Sequence, residues 1–216
     1  RAINPITNSL LMRSIPKSSS SAHAIFGSIS MRSLIRNVST VSLLVLAKKK
    51  LSPAREGFVL KGGTNLILEQ GVHLKFANGT YVEISGDDAG NYLKATGTSS
   101  NQVILEGKQS GQGAWDGLVF RSNNSNNVLT YTTIRNAGDN SEYYEVDSKA
   151  AIRVGNYFYT NLKLTLNNVT IEESAGCGVA IYDYDGTGTM PVGVTFTETN
   201  VTYSGNADSD VCVKYW

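Results

Sequence analysis

Cysteine and histidine are too few in this chain, and too far apart, to predict a metal centre. The two cysteines are Cys177 and Cys212, and the two histidines are His23 and His73. A zinc site takes four ligands, and some of them usually lie only a few residues apart. The cysteine pair leaves two alternatives open: one disulfide in an oxidising compartment, or two buried thiols that pack as small apolar side chains.

Proline and charge are also scarce, whereas residues typical of strands and turns are common. The chain has 4 prolines, and charged residues make up 17% of it, beside 21 glycines and 11 tyrosines. Tyrosine, threonine and valine suit a pleated surface, while glycine and asparagine supply turn conformations. The composition therefore predicts β structure with many turns.

Acidic residues are missing from residues 1–50, which contain eight of the 19 lysines and arginines. The other 11 basic residues and all 18 acidic residues lie in residues 51–216, which therefore carry a formal charge of −7. This contrast favours two units, a basic Ser-rich leader or linker over residues 1–57 and a separate domain over residues 58–216. The acidic charge of the larger unit disfavours nucleic-acid binding, which needs clustered lysine and arginine.

Long hydrophobic runs are absent too. The apolar stretch 41–47 is too short to span a bilayer, so the sequence predicts no transmembrane span. Residues 31–47 resemble a signal peptide in charge and order, yet thirty residues precede them and three lysines follow. The alternatives are an exported leader, or a linker that packs weakly except for a short apolar helix near residues 41–46 that caps the domain.

From residue 58 onward, short runs of alternating apolar residues are separated by glycine and asparagine. Comparison of the sequence with itself aligns three segments around Ile134, Ile171 and Tyr203, which are 37 and 32 residues apart. One such unit cannot bury its inner face alone, whereas stacked units can. Sandwiches and barrels do not predict a repeat of this length. The repeat therefore predicts a stack of parallel strands.

Five stretches carry a resemblance to a known class of proteins: residues 68–76, 93–98, 103–107, 115–120 and 125–138. They resemble the right-handed parallel β-helix repeat proteins, of pectate-lyase-like fold, found on secreted and cell-surface bacterial proteins. The resemblance implies an all-β, single-stranded right-handed parallel β-helix of about five rungs over residues 58–216. We expect it to continue into further coils of a larger polypeptide.

This fold hosts lyases, hydrolases and adhesins, so it leaves function open. We expect a non-catalytic extracellular module, acting as a surface stalk, an adhesin or a glycan-binding segment. The alternative is a polysaccharide lyase or glycoside hydrolase. Arg121, Arg135 and Arg153 lie in or beside successive strands, but no motif fixes them around a substrate. Asp87-Asp88 lacks the companion motifs of polygalacturonases.

Two short motifs have structural interpretations. Trp115-Asp116-Gly117 is interpreted as a turn with a core tryptophan rather than as a ligand site. Asn168 and Asn200 each begin an Asn-Val-Thr sequence at matching repeat positions. Although this is formally a glycosylation sequon, its position in the repeat favours a ladder of stacked amides.

Tyrosines in or beside the loops are the candidate glycan contacts, because a tyrosine ring with a polar tip suits a sugar. They are Tyr143, Tyr144, Tyr157, Tyr159, Tyr182 and Tyr184. Asp183 and Asp185, in an Asp-x-Asp-Gly sequence, are candidate calcium ligands, although the final glutamate of a calcium loop is missing. Calcium is the one cofactor that the sequence suggests. Cys177 and Cys212 are expected to be neighbours on adjacent rungs, with a disulfide if the protein is exported; at matching positions they would lie within or near disulfide range.

Overall fold

The computed structural model describes residues 9–12, 22–25, 41–44, 56–139, 149–155 and 161–214, and these residues form strands and turns without any helix. Turn residues account for the short strands, because glycines or asparagines with positive φ end many of them. The described strands are β1 Ser9–Met12, β2 Ala22–Ile25, β3 Val41–Leu44, β4 Glu56–Leu60, β5 Asn65–Glu69, β6 His73–Phe76, β7 Thr80–Ile84, β8 Tyr92–Thr96, β9 Val103–Gly107, β10 Gly117–Phe120, β11 Val128–Arg135, β12 Ala150–Val154, β13 Leu162–Glu172, β14 Cys177–Tyr182, β15 Val194–Thr199, β16 Thr202–Ser204 and β17 Val211–Lys214.

All pairings between these strands are parallel, and they form three stacks. The first stack runs β5, β8, the first half of β11, the first half of β13, and β15. The second runs β6, β9, the second halves of β11 and β13, and β16. The third runs β4, β7, β10, β12, β14 and β17. The chain visits the three stacks in turn, which is compatible with a parallel β-helix.

Single residues in the left-handed conformation turn the chain from the first stack to the second. Tyr131, Asn168 and Asn200 have φ values of 44°, 53° and 52°. The register of their neighbours aligns these three residues in one column across β11, β13 and the link between β15 and β16. Asparagine tolerates this conformation better than most residues, which explains its place at the corner. Strands β11 and β13 therefore bend at this column and contribute to two stacks each.

Apolar side chains fill the interior in aligned columns. Leu68, Ala95, Leu129 and Leu166 are successive partners in the first stack, and all four are buried. The register also pairs Ile134 with Ile171 and Ile171 with Tyr203. The repeat alignment made from the sequence is therefore confirmed at these positions. Like residues at equivalent positions give one continuous core rather than separate small ones.

The tryptophan of the Trp-Asp-Gly motif lies in this core, and the structural interpretation is confirmed. Trp115 is fully buried and stacks on Phe76, with ring centroids 4.1 Å apart. Its Nε1 donates a hydrogen bond of 3.0 Å to the carbonyl oxygen of Arg135. A buried indole keeps its one polar atom satisfied in this way. Trp115 therefore has no surface on which to bind a sugar.

The amino-terminal segment differs from the expected helix. Val41–Leu44 is the strand β3, which pairs with β2 and meets β6 at Val41 and Leu74. Within the described residues, the predicted capping helix is therefore wrong. A strand can pair directly with the backbone groups at the edge of β6, whereas a helix could only shield that edge from other strands. The prediction of a separate unit over residues 1–57 stays a prediction.

Candidate functional site

A row of charged side chains crosses the outer surface of the second stack. The register places Lys75 beside Glu106, Glu106 beside Arg135, and Arg135 beside Glu172. These four residues, which we call the charged row, alternate in sign from one strand to the next. Opposite charges on directly adjacent strands attract, so the row favours this register of the strands.

Glu106 is the centre of the charged row. Its Oε1 lies 2.8 Å from Lys75 Nζ and 2.6 Å from His73 Nε2. Its Oε2 accepts a hydrogen bond of 2.6 Å from Arg135 Nε. Arg135 also reaches Glu172, with Nη1 3.6 Å from Oε1. Three potential donors therefore surround one nearly buried carboxylate.

The electrostatics of Glu106 argue against an acid–base role. Burial raises the pKa of this carboxyl group, but hydrogen bonds from Lys75, Arg135 and His73 outweigh burial and lower the pKa to about 2. A general acid for glycoside cleavage needs a raised pKa, so that it is protonated at the working pH. Glu106 is ionised at neutral pH. Its geometry therefore fits a structural role better than proton transfer.

Hydroxyl and amide side chains line the outer surface of the first stack. One column contains Thr96, Thr130, Asn167 and Thr199, and a parallel column ends in Thr165 and Thr197. We call these six residues the hydroxyl face. On β11 and β13 the residues next to them point inward, because side chains alternate along a strand. Leu129, Leu164 and Leu166 are accordingly buried, whereas Thr197 and Thr199 are exposed.

The spacing of the hydroxyl face is regular in two directions. Neighbouring strands lie about 4.8 Å apart, and alternate residues along a strand lie about 6.6 Å apart. Thr96 Oγ1 donates to the carbonyl oxygen of Leu68 over 3.2 Å. Thr130 and Thr165 are half-buried, and the exposure increases toward β15. The first column thus repeats a polar side chain on four successive strands, whereas the second is polar on β13 and β15 and has Val128 on β11.

A second charged group lies on the third stack, where Glu83 and Arg153 occupy the same outward column. Arg121 Nη1 lies 3.4 Å from Glu83 Oε1. Burial raises the pKa of the Tyr81 phenol; Glu83 and Asp116 raise it further, and the two arginines oppose them. Glu83, Asp116 and Arg153 are buried. Charges of both signs therefore balance within this group.

The three arginines considered for a lyase do not converge. Arg135 belongs to the charged row on the second stack, whereas Arg121 and Arg153 lie at the third. The aspartates considered for a hydrolase accept local hydrogen bonds. Asp87 Oδ1 accepts from Asn91 Nδ2 over 2.6 Å, and Asp88 Oδ1 accepts from the Gly90 N–H over 2.7 Å.

Among the candidate tyrosines, Tyr143, Tyr144, Tyr157 and Tyr159 lie outside the described residues. Tyr182 is buried at the end of β14, with 3% of its surface exposed, and Tyr184 is exposed in the following turn. The structure therefore leaves Tyr184 as the one candidate that it describes at the surface. A single exposed tyrosine ring offers little contact area for a sugar chain.

Asp183 and Asp185 organise the turn that follows β14. Asp183 Oδ1 accepts from the Gly186 N–H over 3.1 Å, and its Oδ2 accepts from the Gly188 N–H over 2.6 Å. Asp185 Oδ1 accepts from the Thr187 N–H over 3.2 Å. These bonds occupy the Asp183 carboxylate with backbone donors, and a calcium ion requires six to eight oxygen ligands. The arrangement fits a glycine-rich turn, and calcium binding stays a prediction.

Cys177 and Cys212 are joined by a disulfide between the adjacent strands β14 and β17. Their Cα atoms lie 6.1 Å apart. The register, however, pairs Cys212 with Ala180 rather than with Cys177. The two cysteines are therefore neighbours on adjacent strands, but the loop before β17 offsets their positions in the register by three residues. The bridge runs diagonally from the first residue of β14 to the second residue of β17.

The sequence interpretation missed the charged row and the hydroxyl face. The aligned repeats did contain a signal for the first, since Arg135 and Glu172 each follow the aligned isoleucine directly. Lys75 and Glu106 lie outside those repeats, so only the fold reveals that Glu106 contacts both Lys75 and Arg135. Along β13 the polar residues Thr165 and Asn167 flank the buried Leu166, and this alternation is what places polar side chains on one surface.

Comparison of the chain with protein-family models, with curated proteins and with solved structures finds no match. The part of the chain that the structure describes has no helix long and apolar enough to cross a membrane. The charged row and the hydroxyl face are the two surface features of the described residues that bear on function.

Proposed function

We propose that the chain is a non-catalytic extracellular module that binds a linear polysaccharide on its hydroxyl face. In this proposal the strands wind as a right-handed β-helix of about five rungs, since parallel strands in one sheet connect with that hand in nearly all proteins. The disulfide between Cys177 and Cys212 supports an oxidising location, such as the cell surface.

The regular spacing of the hydroxyl face carries the proposal. A polysaccharide repeats one chemical unit many times, and each unit offers hydroxyl groups that donate and accept hydrogen bonds. Thr130, Asn167 and Thr199 follow each other on successive strands, and each side chain can both donate and accept hydrogen bonds. Each bond contributes little in water, so affinity would come from many contacts along the polymer.

The electrostatics favour binding over cleavage. Glu106, the most strongly perturbed carboxylate on the second stack, is held ionised by its three partners. Polysaccharide lyases and hydrolases need a group that exchanges a proton with the substrate. The alternative of a lyase or hydrolase would therefore need groups other than the charged row.

Binding and cleavage are distinguished by one set of experiments. The protein is incubated with pectin, alginate, chondroitin and a neutral β-glucan, and both retention and chain shortening are measured. We expect retention of at least one polymer without shortening. Replacing Thr165, Thr197 and Thr199 together by valine should weaken retention at least tenfold. The matched control is Thr189→Val, which removes an exposed hydroxyl outside the face.

Shortening of any of these polymers would favour the enzymatic alternative. Retention that the triple variant leaves unchanged would move the binding site away from the hydroxyl face, for example to the surface around Tyr184. Valine keeps the size and the β-branched shape of threonine, so the variant should fold as the parent does.

A further inference from the structure

The disulfide between β14 and β17, together with one nearby carboxylate, forms a group of potential metal ligands. The two cysteine Sγ atoms and a carboxylate oxygen of Asp208 all lie within 4.8 Å of one another. Asp208 belongs to the loop before β17, 31 residues after Cys177. The spacing of these residues in the sequence therefore does not predict the group, because the stacking of the strands brings them together.

The distances fit a small thiophilic ion once the sulfur atoms are free. Cys177 Sγ lies 3.7 Å from Asp208 Oδ2. Zinc–sulfur and zinc–oxygen bonds of about 2.3 and 2.1 Å at a tetrahedral angle separate the two ligand atoms by roughly 3.6 Å. The carboxylate therefore already lies at the distance from sulfur that a shared ion requires.

The neighbours of the two sulfur atoms are small and apolar. Cys177 and Cys212 form a small cluster with Ala150 and Ala180, whose side chains are single methyl groups. Two thiolates on one tetrahedral zinc ion lie roughly 3.8 Å apart, which requires a modest shift of each side chain. Asp208 Oδ2 also accepts a hydrogen bond of 2.7 Å from Lys214 Nζ, so a bound ion would share this oxygen with the lysine or displace it.

We propose that reduction of the Cys177–Cys212 disulfide creates a binding site for a thiophilic divalent ion such as zinc, held by both thiolates and Asp208. Two small-molecule thiols supply two electrons and two protons, which break the S–S bond and yield two cysteine thiols and one external disulfide. The metal then displaces both protons. Three protein ligands leave a fourth position for water or another ligand.

In this arrangement the redox environment determines whether β14 and β17 are joined by a disulfide or by a metal ion. Under oxidising conditions the covalent bridge joins β14 to β17. Under reducing conditions the ion joins the same two strands and the loop of Asp208. The inference is independent of polysaccharide binding, because the cluster lies on the third stack and the hydroxyl face on the first.

Cobalt(II) tests the site directly, because thiolate ligation in a tetrahedral site gives intense and characteristic absorption. The full chain is reduced, freed of reductant, and titrated with cobalt(II) and then with zinc(II) as competitor. We expect one equivalent of cobalt to bind with a thiolate charge-transfer band, and zinc to displace it. The oxidised protein, which has the same sequence, is the first control and should give no such band.

Three variants complete the test. Cys177→Ser together with Cys212→Ser should abolish the band, and Asp208→Asn should weaken cobalt affinity at least tenfold. Asp210→Asn is the matched control, since Asp210 is an exposed acid in the same loop and outside the ligand group. Absence of the band in the reduced protein, or equal affinity of the Asp208 and Asp210 variants, would overturn the proposal. Circular dichroism verifies that each reduced sample keeps its β structure.

Discussion

Asn200 donates a hydrogen bond from its Nδ2 to Oδ1 of Asn168, across 3.3 Å between successive turns of the chain. Both residues have the left-handed backbone conformation. The amide ladder expected from the repeated Asn-Val-Thr sequences is therefore confirmed at these two positions. The asparagines stabilise the corner in two ways, because they adopt its left-handed backbone conformation and because their side-chain amides bond to each other.

Two substitutions of Asn168 measure how much the backbone conformation and the amide contact each stabilise the corner. We expect Asn168→Ala to lower the free energy of unfolding by about 1–2 kcal/mol, because alanine loses the amide contact and tolerates the left-handed region poorly. Asn168→Gly should cost less, since glycine adopts that conformation freely. Urea denaturation measures both values.

The control for this prediction is the preceding residue. Asn167 belongs to the hydroxyl face and has no positive φ, so Asn167→Ala should change the free energy of unfolding by only a few tenths of a kcal/mol. An equal loss in the two alanine variants would mean that the corner conformation has no special requirement for asparagine.

The sequence predicted the parts of the fold that depend on local pattern and on the repeat. The pairing of Ile134 with Ile171 followed from counting residues between like segments, and the core position of Trp115 followed from the resemblance to β-helix repeat proteins. The register of β17 did not follow, because the loop before it contains several polar residues whose course no periodicity defines. The charged row depends on contacts between residues about thirty positions apart, such as Lys75 and Glu106.

Gly117 lies where a side chain has no room. It has a φ of 98°, and a Cβ atom there would lie 2.3 Å from the carbonyl oxygen of Ala151. We expect Gly117→Ala to destabilise the protein by about 3 kcal/mol or more, from the strained backbone and the collision together. Thermal or urea unfolding of the purified variant measures the loss.

Gly111 provides a matched control for backbone strain alone. Its φ is 99°, and an added Cβ atom would meet nothing within 4 Å. Gly111→Ala should therefore cost about 1 kcal/mol, the penalty for a side chain in this region. If the two alanine variants were equally stable, the close approach of the β12 backbone to Gly117 would not be a real constraint.

Protonation of Glu106 should weaken the fold at low pH. Its pKa falls from 4.5 to about 2 in the folded chain, despite burial, because Lys75, Arg135 and His73 bind the charged form. A carboxyl group with a lowered folded pKa stabilises the protein above its unfolded pKa, and this contribution is lost as the pH falls toward 2. We expect Glu106→Gln to cost about 2 kcal/mol at pH 7.

The pH dependence distinguishes this effect from lost packing. The difference in unfolding free energy between the parent and Glu106→Gln should shrink steadily from pH 5 to pH 2.5. Glu172→Gln, at the partly exposed end of the charged row, should cost only a few tenths of a kcal/mol over the same range. A difference for Glu106→Gln that stays constant over this range would mean that the charge of Glu106 is not what stabilises the fold.

The disulfide should contribute strongly to stability because of where it closes the chain. It joins residues 35 positions apart, and closing a loop of that length in the unfolded chain corresponds to about 3–4 kcal/mol in the chain-entropy model.

β17 pairs with β14 along one edge only among the described strands, and Phe196, Tyr203 and Val213 of the same final turn are only partly buried. With so little packing to hold it, this turn should open first when the bridge is cut. We therefore expect the metal-free reduced protein to lose amide-exchange protection in β15, β16 and β17 before β5, β8 and β11 lose theirs, while the oxidised protein keeps both. Uniform loss across all strands on reduction would show that the bridge stabilises the whole stack rather than its end.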